Sequence, residues 1–423
     1  VADARHDRIR GELRREGVDA IVLTDPNDVL YTTGYEQLMD HWNLQERISA
    51  AIVPTDPAKP VVLCLPEASI AVLAVLAARG TPDRAQEIRR FDLLNFCEMG
   101  RALDPHAGPS AVGSAALDIF RDRVRGDCQP EIVASITEAL EAHGLVRGRL
   151  AYDDLRIGHT LAKRGLTTLD RVVDGLELMV RARVIKTPDE IATFRRIGGL
   201  ADQCIAFAAS QLEEGITWSE VEYRVADYMT RHDIRPFDEG ALLFGGAFDG
   251  EFIPDLFRTR HDAPLKRGQV VILETLGRAE GFWIDINRTA TMGAPRPEYQ
   301  RLHDIIRDAF VRAIEHMRPG VHTGELTRMT YEYVKSHGVA APEKLLVITH
   351  GIGHMPLEMP LPFPAQGLAG ARGFTLERDM VVSMDCLYFG SQYGPCHMEN
   401  VFVIEENRAV STYATPLELL GPR

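Results

Sequence analysis

The stretch Val270–Gly293, VVILETLGRAEGFWIDINRTATMG, constrains this chain most, because two short apolar runs each carry a single carboxylate inside them. The runs flank a turn-like segment from Gly277 to Gly281 and predict a β-hairpin, with Glu274 on one strand and Asp285 on the other. Such a hairpin can set the two acids face to face. Buried acids placed side by side repel each other and lose hydration, so they persist when one is protonated or a cation sits between them. The hairpin alone equally allows one acid to face solvent while the other caps a turn.

The chain is 423 residues long, enough for two domains that each bury a full core. A formal net charge of −14 and the lack of any concentrated basic stripe argue against nucleic acid or an anionic membrane as a partner. Six cysteines without a C-x-x-C spacing point to reduced thiols in a cytoplasmic protein. No apolar run approaches the ~18 residues that a membrane span requires.

Two domains are expected, 1–183 and 184–423. In the first, residues 5–17 predict an amphipathic helix closing on Gly17, and Ala20–Leu23, Ala50–Val53 and 60–65 predict strands of a mixed α/β domain. The TDPNDVLYTTGY segment between them is open between a short strand and a helical turn. His41 and Trp42 fall in a loop, where an exposed aromatic either covers a ligand or anchors packing. The second domain opens at a helix start, with Thr187 as N-cap and Pro188 in the first turn. Helices over 189–213, 218–232 and 297–317 follow, and Thr323 restarts another. Helices thus flank an acid-bearing sheet.

In VITHGIGHMPLEMP, the glycines after His350 let the backbone pass close to whatever the imidazole binds, and His354 lies four residues on. A histidine beside glycines also serves as an ordinary hydrogen-bonded group. Asp385 and Glu399 sit in two further apolar runs that would bury them. Four carboxylates and a histidine on apolar strands are hard to explain as separate salt bridges.

On these motifs the chain resembles the creatinase/aminopeptidase P/methionine aminopeptidase group, over both domains. The hairpin is similar to that group's D-x-G…G-Y-x-x-D-x-T-R-T element: Gly281-Phe282 and Arg288-Thr289 keep its form, and Glu274 to Asp285 keeps its interval of eleven residues. H-G-I-G-x-x-x-x-E-x-P, K-T-P-D-E-I and R-P-G-V-H-T-G-E-L resemble further elements of the group. The resemblance implies an α/β (α+β) architecture: a creatinase-like mixed α/β domain, then a pita-bread domain with a curved antiparallel sheet flanked by helices, in a homodimer. It also implies two divalent transition ions (Mn, Fe, Co or Zn) on Glu274, Asp285, His350, Asp385 and Glu399, with Asp285 and Glu399 bridging. Such a pair activates a water and polarises a carbonyl. Glu358, at the end of the histidine turn, is placed to shuttle a proton to a leaving nitrogen.

The departures from that pattern shape the expected function. Glu274 stands where the group has Asp, Asp385 where it has Glu, and Asn287 where it has Thr. Each carboxylate exchange moves an oxygen by about 1.5 Å. Phe257 and Leu357 occupy the places of two substrate-contacting histidines, for which His354 and His397 are candidate substitutes. Ordinary prolyl-peptide cleavage is therefore disfavoured. The expected activity is metal-dependent hydrolysis of an amide-like C–N bond in a small carboxylated molecule. Alternatives are a metal-dependent lyase on a small acid, resembling the dimethylsulfoniopropionate lyases of this fold, and a binding module without chemistry. Phe257, Leu357, His41 and Trp42 are the candidate substrate contacts.

Overall fold

The computed structural model describes residues 3–36, 47–70, 73, 84–93, 122–237, 264–361 and 373–421, together with the backbone of 242–245. The chain divides into two compact units, Val1–Arg183 and Val184–Arg423.

In the first unit, Asp3 accepts the Arg5 N–H to start α1 (Ala4–Glu16), and Gly17 ends it in the left-handed conformation. Strand β1 (Ala20–Leu23) follows. The segment left open by the sequence is a helix, α2 (Pro26–Thr33), because Asp25 caps the Asn27 N–H, Pro26 presets the first turn and Gly34 closes the last. Strands β2 (Ala50–Pro54), β3 (Val62–Pro66) and β4 (Glu87–Phe91) come next, then α3 (Ile132–Ala142), β5 (Leu150–Tyr152), α4 (Leu155–Lys163), β6 (Val172–Asp174) and α5 (Leu176–Val184). The sheet order is β4-β3-β2-β1-β5-β6. It is mixed, since β1 runs antiparallel to β2 and parallel to β5. Ile21 and Leu23 pack with Ile9, Leu13 and Met179 on one face, while Ala20 and Val22 pack with Ile136, Leu140 and Leu161 on the other. A strand covered on both faces reads as an unbroken apolar run, which is how β1 reads in the sequence.

The second unit opens with α6 (Pro188–Ser210), where Thr187 and Glu190 form a reciprocal capping box. Next come α7 (Trp218–Arg231), β7 (Arg235–Pro236), β8 (Leu242–Gly245), β9 (Val270–Ala279) and β10 (Phe282–Thr291). Helices α8 (Pro297–His316) and α9 (Thr323–Ser336) precede β11 (Leu345–Gly351), β12 (Val381–Tyr388), β13 (Cys396–Ile404) and β14 (Ala409–Ser411). His322, not Thr323, caps α9, its ring accepting the Gly324 N–H. The antiparallel sheet runs β11-β12-β13-β10-β9-β7, with β14 on β13 and β8 on β9.

The hairpin turn is tighter than the sequence suggested. Strand β9 continues through Gly277, and only Glu280 and Gly281 turn, both at positive φ. Gly277 is small for a packing reason: a Cβ there would run into Met229 and Ile234 and onto the Arg235 carbonyl. Leu273, Ile284 and Ile286 pack with Phe194, Ile197, Val221 and Val225 of α6 and α7. Met384, Met398 and Phe402 pack with Ile306, Phe310, Leu326 and Val334 of α8 and α9. The alternate residues of β9, β10, β12 and β13 are left for the opposite face. Among the described residues no helix is long and apolar enough to cross a membrane.

Adjacent glycines in α6 give a test of this packing. A Cβ on Gly199 would meet nothing within 4 Å, whereas one on Gly198 would collide with the Thr412 backbone carbonyl. Gly199→Ala is expected to raise the unfolding free energy measured in urea by the ~0.5–1 kcal/mol of helix propensity. Gly198→Ala, the same change one residue earlier, is expected to lower it by ~1–3 kcal/mol.

Candidate metal centre

Strand register assembles the acids. Glu274 of β9 lies opposite Asn287 of β10, Asn287 opposite Glu399 of β13, and Glu399 opposite Asp385 of β12. These four side chains form one row across four strands. Side chains alternate along a strand, so Asp285, two residues before Asn287, and His397, two before Glu399, share that face. His350 of β11 lies opposite Ser383, two residues from Asp385.

The contacts are close. His350 Nε2 lies 3.5 Å from Asp385 Oδ2 and 3.8 Å from Glu399 Oε1. His397 Nε2 is 2.9 Å from Asp385 Oδ1. Ser383 Oγ donates to Glu399 Oε1 at 2.6 Å, and Asn287 Nδ2 donates to Glu274 Oε2 at 2.8 Å. The Asp285 backbone N–H donates to the Tyr413 hydroxyl, while its buried Oδ1 has no hydrogen-bond partner among the described residues. Two sets of donors converge: Asp285, His350 and Glu399, and Asp385, His397 and Glu399, each with atoms within 4.8 Å of one another.

Without a cation the row is electrostatically overfull. Burial, then repulsion from Glu399, pushes the Glu274 carboxyl up to about 8. Burial and the neighbouring acids Glu399, Glu274 and Asp385 hold Asp285 well above the ordinary carboxylate range. Burial would lower His350, but its contacts with Asp385 and Glu399 outweigh this and raise it to about 10. His397 is likewise raised against its burial by Asp385. Burial alone would raise Asp385, and the two imidazoles hold it well below the usual range instead. Crowded carboxylates, an orphaned buried oxygen and imidazole nitrogens fit a divalent transition ion.

Behind the row, Arg288 is fully buried and donates to the backbone oxygens of Asn287, Glu399, Thr415 and Pro416 and to Asn400 Oδ1. Burial lowers it to about 10, so it stays charged at neutral pH. It ties β10 to β13 beneath the two acids.

Residues 192–406 match the family described as Metallopeptidase family M24, and residues 5–77 match the Creatinase/Prolidase N-terminal domain. The chain belongs to metallopeptidase family M24. An uncharacterized peptidase of Staphylococcus aureus is 26% identical over 235 residues, 55% of this M24 chain and 63% of that relative's length. One from Staphylococcus epidermidis is 22% identical over 94% of this chain and 95% of its own. In structure, the prolidase from Pyrococcus horikoshii OT3 superposes with a TM-score of 0.70 at 17% identity, covering 99% of this chain and 100% of that one. The Xaa-Pro dipeptidase from Bacillus anthracis gives 0.70 at 18% identity, with 99% of each chain covered. The fold is the pita-bread fold of M24 proteins, preceded by a creatinase-like mixed α/β domain.

Other sequence candidates of this M24 chain are engaged elsewhere. Glu358 is paired with a cation. Its carboxylate forms a nearly fully buried ion pair with Lys186 at 2.7 Å and fills the space over Gly353 where a side chain would stand. His354 faces the hairpin turn: Nδ1 is 2.8 Å from the Gly281 carbonyl, its ring packs on Phe282, and its carbonyl accepts from Trp283 Nε1. Leu357 is 48% exposed. Phe257, His41 and Trp42 lie outside the described residues. Sequence reasoning missed Lys186, Ser383 and Tyr413 as neighbours of the site. A lysine directly before the Thr187 cap was the available signal, but its burial was not legible and its partner lies 172 residues away.

Lys186→Met leaves the Glu358 charge buried without its cation, and is expected to cost ~3–5 kcal/mol in urea unfolding. Lys186→Met with Glu358→Gln is expected to recover most of that loss. Equal destabilisation of the single and double variants would show that the pair does not brace the histidine turn.

Proposed function

We propose that this chain is a metal-dependent hydrolase that cleaves an amide-like C–N bond in a small, carboxylated molecule. The observation that carries this reading is the convergence of two His/carboxylate donor sets on Glu399 in a buried sheet row. Family membership supports it, since the matched family is one of metallopeptidases. Asp285, His350, Asp385 and Glu399 would hold a pair of divalent ions, with Glu274 beside them. Four carboxylates balance the charge of two such ions, which leaves the loaded row near neutral. When bound, the ions supply Lewis acidity toward a carbonyl and activate a water at neutral pH.

The chain's own residues set the geometry for this. Ser383 fixes the Glu399 carboxylate through Oε1, and Asn287 fixes Glu274 through Oε2. Outer hydrogen bonds of this kind aim the donors and tune their basicity. Arg288 holds the backbone of Asn287 and Glu399. Glu358 and His354 act as positioning groups: Glu358 braces the turn after His350 through Lys186, and His354 locks that turn to the hairpin. Leu357, in place of a histidine, supports a substrate other than an ordinary prolyl peptide. The lyase reading is weakened because Pro356 and Leu357, neither of them a base, stand in the histidine turn where that chemistry needs one, which leaves Glu358, held by Lys186, as the stand-in.

The test combines elemental analysis with turnover. Protein purified without added metal or chelator is expected to carry transition metal that is lost in Asp285→Ala and His350→Ala. With metal present, a panel of dipeptides and N-acylated small acids in ¹⁸O-water is expected to yield labelled carboxylate product. Asp285→Ala is expected to reduce that turnover beyond the ~100-fold cost of losing an outer-shell partner. Stoichiometric metal without C–N cleavage, or an alkene product without ¹⁸O, would overturn hydrolysis.

A further inference from the structure

Among the donors on the sheet face, His397 stands apart because its place is fixed from the backbone outward. Its N–H donates to Thr289 Oγ1 at 2.9 Å, and its carbonyl accepts from the same hydroxyl at 3.0 Å. That double contact clamps the residue to β10, and the residue is only 5% exposed. The clamp aims Nε2 at the point where Asp385 and Glu399 also present oxygens.

We infer that His397 is itself a metal ligand, so that the centre consists of two matched triads, Asp285–His350–Glu399 and Asp385–His397–Glu399, sharing Glu399. This rests on the metal-centre reading above and adds a second imidazole to it. Each triad has one aspartate, one histidine and the common glutamate. Glu274 belongs to neither, and one of its oxygens is already held by Asn287. Asp385 is a methylene shorter than a glutamate would be, and the His397 ring, reaching in from the adjacent strand, fills the space beside it. Asp285 Oδ1, without a hydrogen-bond partner among the described residues and on a residue more than nine-tenths buried, points to an ion at the other triad independently of His397.

The chemical consequence is a change of metal preference. A centre with one imidazole among carboxylates suits Mn as well as later metals, whereas one imidazole per ion moves preference toward Co and Zn. Both ions then sit in similar donor sets, and the second site does not need Glu274 to be filled.

Cobalt(II) provides the test, because a coordinated imidazole shows a strongly shifted, exchangeable N–H proton signal in paramagnetic NMR. The metal-free chain is loaded with Co(II), bound ions are counted by native mass spectrometry, and the shifted signals are recorded. Two imidazole signals are expected in the wild type. His397→Gln is expected to lose one signal and about one Co(II) per chain, and His350→Gln the other signal. His337→Gln, an exposed histidine just beyond the end of α9 whose ring is held at the Tyr333 carbonyl, is expected to keep both. Bound Co(II) with a single signal that survives in His397→Gln would overturn the inference, and would make His397 a hydrogen-bond partner of Asp385 while leaving the metal centre intact. No bound Co(II) at all would overturn the metal-centre reading and this inference together. The wild-type spectrum decides even if a variant fails to fold.

Discussion

Mutual repulsion among buried carboxylates governs the second unit of this protein. Glu274, Asp285, Asp385 and Glu399 lie on one sheet face, and two charges about 4 Å apart repel by ~4 kcal/mol at the effective dielectric of a protein interior. The surroundings answer that repulsion at several points. His350 and His397 approach Asp385 from two strands, and Asn287 and Ser383 donate to Glu274 and Glu399. Arg288 places a buried positive charge behind Asn287 and Glu399. These devices reduce the strain without cancelling it, as the raised Glu274 and Asp285 carboxyls show. A cation held between these donors would complete the balance.

The architecture serves this row. Helices α6 to α9 cover the opposite face, so every second residue of β9, β10, β12 and β13 is committed to core, and the alternate ones are free to carry charge. A slip of one residue in the β10–β13 pairing would send Glu399 into the helix-covered core. Arg288 guards that register, since its guanidinium reaches carbonyls on both strands and on the 415–416 segment at once. The turn after His350 is held equally firmly, by Lys186 through Glu358 and by Gly281 through His354.

What was legible in the sequence was local. Apolar runs with single acids marked β9, β10, β12 and β13, and Thr187 with Pro188 marked the start of α6, because pattern and capping act within a few residues. The motif resemblance pointed to the M24 family and its fold. Pairings across long chain separations were not legible. Glu358 read as a free acid because Lys186 is distant in sequence, and His354 read as a candidate catalytic group because its partner Gly281 lies in the hairpin turn, 73 residues away. Gly277 read as a turn residue, when its lack of a side chain serves packing against Met229. The TDPND segment was ambiguous on propensity and was decided by the Asp25 cap.

The most direct measurement is the urea stability of metal-free protein between pH 5.5 and 9, repeated with saturating divalent cation. Glu274, raised to about 8, and Asp285, also raised, bind protons more tightly folded than unfolded. The Glu274 contribution is therefore full below the ordinary carboxylate range and is lost as pH rises through about 8, and Asp285 acts in the same direction. His350, raised to about 10, acts in the same direction above its ordinary value. Metal-free stability is expected to fall steadily across this range, and the cation to restore it by an amount that grows with pH. A metal-free protein whose stability is flat in pH and unchanged by cation would contradict a carboxylate row held together by metal.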